Sequence, residues 1–305
     1  MWAILLGIVE ILTCAAEPKI IHPASWLGDI VCADSLIFLG TTEKVLVLTL
    51  PEGRVIEELP FPGPVRALAW SGHFLAAGGW NTLRIWSWPE KTLHWEDTGF
   101  STMIRSLAFT SNGLLLGGGA NGLVFAWDPQ EKRQLWTLQA HPSSVWGIAA
   151  SPKAPVFATA GSDRLAIWDL HTCLELQNFP GRTWDVAFSP DGFLLAAGMG
   201  KILKVWDSAF WLLVWEAWAH ESCTVTVAFS ADGKYIATGS LDQTAKVWDV
   251  WTGEVLFVSP PFPAILAAVE FSPTGLLVGS EDGTLLLWQP QFEPTDTNHT
   301  IPETL

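Results

Sequence analysis

Between Leu27 and Trp288 the apolar positions fall in short runs separated by turn residues at near-regular intervals. One kind of run ends in a turn such as Phe188-Ser-Pro-Asp-Gly192, Phe229-Ser-Ala-Asp-Gly233 or Phe271-Ser-Pro-Thr-Gly275. Proline presets the first turn dihedral and glycine accepts the unusual one. A run of small residues follows, as in Tyr235-Ile-Ala-Thr-Gly-Ser, then a second polar turn, as in Leu241-Asp-Gln-Thr. A third run ends in tryptophan, and a fourth, such as Glu254-Val-Leu-Phe-Val, leads to the next unit. Runs this short at hairpin spacing predict β-strands in sets of four. No intervening stretch keeps the periodicity of an amphipathic helix, so the expected class is all-β.

The tryptophans set the period. Trp86, Trp127, Trp168, Trp206, Trp248 and Trp288 are separated by 41, 41, 38, 42 and 40 residues, and four of them precede Asp (Asp128, Asp169, Asp207 and Asp249). One period before Trp86 stands Leu48, inside Lys44-Val-Leu-Val-Leu, which makes seven units. A tryptophan repeat of this length resembles the WD40 family, over nearly the whole chain. The resemblance implies a closed, seven-bladed β-propeller with four strands per blade. It also implies a buried hydrogen-bonded set in each blade: a His before the first strand, a Ser or Thr on the second, an Asp in the following turn, and the Trp. Two units hold it complete: His141, Thr159, Asp163 and Trp168, then His220, Thr238, Asp242 and Trp248. Buried indole N–H and carboxylate groups need partners, so these residues are expected to be structural. The other units are degenerate. The last keeps Asp282 and Trp288 without the His, two carry Asn81 and Asn121 in place of Asp, the Trp206 unit lacks both His and Asp, and the first keeps His22 with Glu43.

The last unit stops at Trp288 without a fourth run, and an open edge there would be exposed. An N-terminal strand completing the last blade is therefore expected, from Trp2–Leu12 or Cys14–Ile21, with the first favoured for its apolar content. The expected organisation is a closing strand and linker over 1–21, the propeller over 22–290, and a flexible acidic tail over 291–305.

Charge and cysteine use narrow the function. The formal net charge of −15 repels phosphate backbones and disfavours a nucleic-acid partner. Cys14, Cys32, Cys173 and Cys223 stand apart, without the pairing of a zinc ribbon or a disulfide framework, and read as small hydrophobes in a reducing compartment. No apolar run has transmembrane length. The apolar start of the chain lacks a basic leader and is broken by Glu10, so a structural strand is favoured over an export signal. A cytoplasmic protein is expected, with export as the alternative should residues 1–16 be cleaved. The sequon Asn298-His-Thr300 matters only in that alternative.

Motifs of catalysis are weak. Gly117-Gly-Gly-Ala-Asn-Gly122 matches a dinucleotide-binding string but stands between two predicted strands, where a chance match is expected. His220 with Cys223, and His171 with Cys173, offer two ligands each where a zinc site takes three or four. No metal, cofactor or catalytic residue is assigned.

In the resembled family, partners often meet one face of the disc, at loop positions that can be aligned across the units. Five residues before the first-turn Ser or Thr stand Arg66, Arg105, Trp146, Trp184, Val225 and Ala267. Two residues earlier stand Pro64, Met103, Ser144, Arg182, Cys223 and Ile265. Before the second-turn Asp or its stand-in are Trp80, Ala120, Ser162, Met199, Leu241 and Glu281. Arg66, Trp80, Arg105, Trp146, Arg182 and Trp184 concentrate in the second to fifth units, and Arg and Trp are enriched at binding hot spots. They form the candidate partner-binding patch, suited to an acidic or aromatic segment. The competing reading has the tryptophans covering loops and the arginines pairing with local carboxylates such as Asp185. The run Phe210–Trp218 is too apolar for an ordinary solvent-facing edge. It packs against a neighbouring blade or meets another subunit. The expected function is a non-catalytic scaffold or adaptor for a protein or peptide. The alternatives are an exported ligand-binding propeller and an enzyme with a site at the propeller mouth.

Overall fold

In the computed structural model, residues 19–21, 24 and 26–289 are described. Among them, 28 strands make seven four-stranded sheets, with no helix. All pairings are antiparallel between successive strands, except the one that closes the ring. Blade 1 covers Asp29–Pro60, blade 2 Ala67–Asp97, blade 3 Ile104–Gln139 and blade 4 Val145–Pro180. Blade 5 covers Thr183–Trp218, blade 6 Thr224–Val258 and blade 7 Leu266–Trp288. The first strand of each blade packs against the first strands of both neighbours, so these seven strands form the inner wall of a closed ring.

Blade 7 takes its outer strand from the N-terminal side of the chain. Lys19–Ile21 pairs antiparallel with Leu285–Trp288, in the register Lys19 to Leu287 and Ile21 to Leu285. The strand comes from the second of the two expected segments. The favoured one, Trp2–Leu12, lies outside the described residues, and the edge it was expected to cover is held by Lys19–Ile21. His22, Cys14 and the segment 291–305 also lie outside them.

The core is divided into seven layers, each between two adjacent blades. One layer joins Leu277, Leu285 and Leu287 of blade 7 to Leu27, Ile30 and Leu48 of blade 1, which buries apolar surface across the junction of the two chain ends. Leu48 is fully buried there, in the place that other blades give to tryptophan. Trp127 packs against blade 2, Trp168 against blade 3 and Trp248 against blade 5, so each of these indoles spans the gap to the preceding blade.

The gap is kept narrow by a small residue at one register position of every second strand: Gly40, Gly78, Gly118, Ala160, Gly198, Gly239 and Gly279. A Cβ on Gly78 would lie 2.6 Å from Ile104 of the next blade, and one on Gly118 would lie 2.6 Å from Val145. At Gly279 it would lie 2.7 Å from Ile30 and 2.9 Å from Leu27, so the same contact closes the ring. Filling such a site forces the blades apart, at a typical cost of about 1–3 kcal/mol. Gly118→Val is therefore expected to lower the unfolding free energy by that order and the urea midpoint with it, because the new Cβ would also lie 2.9 Å from Val145 Cβ, which side-chain rotation does not move. A midpoint equal to wild type would show that the blades are not held by this contact.

Candidate functional site

The two complete His-Thr-Asp-Trp sets are hydrogen-bonded chains. The Trp168 indole N–H donates to Thr159 Oγ1 at 2.8 Å, Thr159 Oγ1 lies 2.9 Å from His141 Nε2, and His141 Nδ1 lies 2.6 Å from Asp163 Oδ1. In blade 6 the corresponding distances are 2.9 Å for Trp248 to Thr238, 2.8 Å for Thr238 to His220 and 3.2 Å for His220 to Asp242. A hydroxyl that accepts from the indole gives its one proton to His Nε2. The imidazole is then neutral and donates from Nδ1 to the carboxylate. Arg164 adds an ion pair to Asp163 and another, at 2.8 Å, to Glu175.

The degenerate blades solve the problem differently. In blade 3 the Trp127 N–H donates to Asp97 Oδ2 at 2.8 Å, at the end of the preceding blade, while Asn121 Oδ1 accepts from the backbone of Leu123. In blade 7 the Trp288 N–H is buried without a partner among the described residues. Asp282 accepts from Ser280 and Thr284 instead.

Arg105, Trp146, Trp184, Val225 and Ala267 share a feature that the sequence alignment did not reveal. Each falls at a register shift between the first and second strands of its blade: Ile104/Ser106, Val145/Gly147, Thr183/Asp185, Thr224/Thr226 and Leu266/Ala268. The residue between is unpaired, and a bulge of this kind re-aims its side chain out of the sheet. Five aligned bulges therefore present these side chains around one rim of the inner wall.

Trp146 and Trp184 stack there with ring centroids 4.2 Å apart and planes 16° from parallel. The Arg182 guanidinium lies 5.0 Å from one ring and 5.1 Å from the other. The Trp184 indole N–H is buried without a hydrogen-bond partner among the described residues. Trp80 is 62% exposed and its backbone bridges to Met103. Arg66 lies 4.4 Å from the Trp26 ring and 3.7 Å from Glu281 Oε1 across the blade 7 side. Arg105 is exposed, and its affinity for a proton is lowered by partial burial and by the neighbouring Arg66 charge. Among the described residues neither Arg105 nor Arg182 has a carboxylate partner. Asp185, considered above as a partner for these arginines, points elsewhere and accepts from Val227 N at 2.9 Å.

Asp185 belongs to a second group, on the inner wall, that the sequence reading missed. Asp29 Oδ2 accepts from Leu68 N at 2.7 Å, Ser106 Oγ from Ile148 N at 3.0 Å, and Asp185 Oδ2 from Val227 N. Each bond ties one blade to the next. Burial pushes both carboxyls up to about 7 against the lowering effect of these N–H donors. Glu270 lies deeper on the blade 7 inner strand. Burial, with the charges of Asp29 and Asp185, raises it to about 8.

The outer strand Leu213–Trp218 divides its side chains. Trp215 turns inward, and its N–H donates to Val250 O of blade 6 at 2.7 Å. Phe210, Leu212 and Trp218 are 77%, 65% and 61% exposed, so only part of this apolar run packs against a neighbouring blade. The Gly117–Gly122 string joins the strands Leu115–Gly119 and Leu123–Asp128 of one blade. Among the described residues no three His, Cys, Asp or Glu side chains are grouped to hold a metal ion, and no helix is long and apolar enough to cross a membrane.

The family model described as WD domain, G-beta repeat matches residues 132–169, 174–207, 213–249 and 263–289. These matches begin on the outer strand of blade 3 and run to the end of blade 7, leaving out the strand Val255–Val258. The chain is a WD40-repeat β-propeller. It is 26% identical over 218 residues to U3 small nucleolar RNA-associated protein 21 homolog of Schizosaccharomyces pombe, covering 68% of this chain and 24% of that protein. It is 29% identical over 195 residues to WD repeat-containing protein VIP3 of Arabidopsis thaliana, covering 63% and 53%. With small ribosomal subunit protein RACK1y of Oryza sativa subsp. japonica the identity is 26% over 182 residues, covering 58% and 44%. This propeller thus matches only part of the length of each relative.

The buried imidazoles give the propeller an acid-sensitive element. Desolvation lowers His220 to about 4, and Lys246 adds to the effect, against the raising influence of Asp242. An unfolded histidine titrates near 6.5, so the unfolded chain takes up a proton that the folded blade refuses. Stability from this group is fully present above about 6.5 and is lost as pH falls toward about 4, by roughly 3 kcal/mol in all. His220→Asn is expected to flatten the acid limb of a plot of melting temperature against pH while lowering stability at neutral pH. An acid limb unchanged in the variant would place the sensitivity in another group.

Proposed function

We propose that this chain is a non-catalytic scaffold that binds an acidic segment of a protein partner on the rim formed by Arg66, Trp80, Arg105, Trp146, Arg182 and Trp184. The observation that carries this reading is the stacked Trp146–Trp184 pair under Arg182, beside an Arg105 that has no carboxylate partner among the described residues. In a chain with 31 acidic and 16 basic residues, an Arg105 guanidinium without a carboxylate partner among the described residues, next to the positive charge of Arg66, is electrostatically expensive. A partner carboxylate relieves the repulsion between Arg105 and Arg66 and forms charge-assisted hydrogen bonds. Flat indole faces supply contact area at little conformational cost. Among the described residues the carboxylate seen beside the rim, Glu281, is paired with Arg66, so acid–base turnover there has no free agent.

The relatives support an assembly role. Two of them are named for association with U3 small nucleolar RNA and for the small ribosomal subunit. On this chain, with its acidic balance, the reading is contact with protein rather than with phosphate backbone. The exposed Phe210, Leu212 and Trp218 favour a further, apolar contact on the outer edge of blade 5. We place the protein in the cytoplasm.

Affinity capture from the native source, comparing wild type with Trp146→Ala/Trp184→Ala/Arg105→Glu, tests the rim once both proteins melt at similar temperatures. A partner held by wild type is expected to be lost from the triple variant, with affinity lower by about 100-fold or more, as hot-spot truncation gives. Equal capture by both would remove the rim from the proposal and leave the blade 5 edge.

A further inference from the structure

The inner wall has a second mouth, at the opposite ends of the same strands. A cavity of about 650 Å³ opens there between blades 6, 7 and 1. Phe229, Tyr235 and Phe271 line it, with the carboxylates of Asp34, Asp232 and Glu270. No motif in the sequence points to it, and it shares no residue with the Arg/Trp rim.

Glu270 is the anomaly. The register places it level with Val31 of blade 1 and with Ala69, Ala108, Ala149, Ala187 and Ala228 of blades 2 to 6. Six blades thus build this level from apolar side chains, five of them from alanine, so folding gives no reason for a carboxylate in the seventh. Glu270 is only partly exposed, and among the described residues it has neither a hydrogen bond nor an ion pair. Leaving a carboxylate so placed costs stability, and each shift of one pH unit in its titration is a measure of that cost. The two nearest inner-wall carboxyls do not relieve it. Asp29 accepts backbone N–H groups at both oxygens, and Asp185 accepts from Val227 and Val186. Asp232 is occupied by Ser230 and Lys234 within its own turn.

We propose that this cavity binds an arginine side chain of a polypeptide partner, with the guanidinium paired to Glu270 and flanked by the aromatic walls. Asp34 is exposed to solvent and Asp232 is held within its turn, so among the described residues Glu270 is the one lining carboxylate both shielded from solvent and uncommitted, which suits a monocation, whereas calcium or magnesium would take several oxygen ligands. Between the two basic side chains, the planar guanidinium matches a carboxylate in two parallel hydrogen bonds and stacks on rings such as Phe229, Phe271 and Tyr235. It is also more weakly hydrated than an ammonium, so it loses less on entering the cavity. The net charge of −15 favours the approach of a basic segment. The proposal does not depend on the rim, and either site can fail without the other.

The test is titration of acetyl-Gly-Arg-Gly-amide into wild type and Glu270→Ala by calorimetry, with the citrulline and lysine peptides as controls. Citrulline keeps the shape of arginine and removes its charge. Saturable binding of the arginine peptide to wild type is expected, weaker by about tenfold or more for Glu270→Ala and for the citrulline peptide, as loss of one charge-assisted pair implies. The lysine peptide is expected to bind more weakly than the arginine peptide. Alanine fits this level in five other blades, so Glu270→Ala is expected to melt at or above the wild-type temperature. Absence of saturable binding, equal binding of the citrulline peptide, or equal binding by Glu270→Ala would overturn the proposal. So would equal binding of the lysine peptide, or a fall in melting temperature that reveals a structural partner for the carboxylate.

Discussion

Every other feature of this molecule depends on how closely one blade approaches the next. At one level of each second strand the side chain is reduced to hydrogen or a methyl, from Gly40 around to Gly279. Into that space come side chains from the next blade, including Val65, Ile104, Val145 and Thr224, and at the junction Leu27 and Ile30. The contact is steric, so at the glycines an added Cβ would meet the next blade, and it repeats around the ring without a free end. Apolar layers on either side then supply the burial energy. Backbone N–H groups at the same level are tied across blades by Asp29, Ser106 and Asp185. Close approach thus makes the inner wall rigid, and a rigid wall is what allows bulged residues to hold a fixed geometry at its rim.

The sequence made the repeat legible because tryptophan is large and rare and its spacing reports one strand of each blade. Leu48 was readable as a substitute because the period demanded a residue there, and its burial between blades 7 and 1 shows the same mechanical role. What spacing could not report was partnership. Trp127 finds its acceptor in Asp97, from the preceding blade, although Asn121 stands at the aligned position. The choice of closing strand failed for a related reason. Apolar content favoured Trp2–Leu12, but the strand that completes blade 7 needs only backbone groups in register, and Lys19–Ile21 supplies them. Ile20 is exposed on it, so hydrophobicity was not the selecting property.

The rim residues were found by alignment, but their common cause was not. A residue inserted between paired positions leaves no mark in apolar periodicity, because the strands on either side keep their pattern. Only the register shows that Arg105, Trp146 and Trp184 are the inserted residues of bulges. The stack of Trp146 on Trp184 likewise joins residues 38 positions apart, in blades 4 and 5, and no local rule relates them.

In a repeat array the fold is specified by what the units share, so chemistry that the fold does not need stands out as a departure at a shared position. Val225 and Ala267 show what the bulge position requires for folding, which is little; Arg105, Trp146 and Trp184 exceed it. Alanine at this level of the inner wall in five blades shows what that level requires, and Glu270 exceeds it in the costlier direction, since it introduces an ionisable group where water is scarce. The two departures differ in sign. One mouth gathers guanidinium groups, of which Arg105 and Arg182 have no carboxylate partner among the described residues, and the other gathers carboxylates around an aromatic-walled cavity. A rigid ring with opposite charge at its two mouths is suited to hold two different segments at a fixed separation. That is a mechanical property a scaffold requires, and it follows from the same close packing that forbids a Cβ at Gly118.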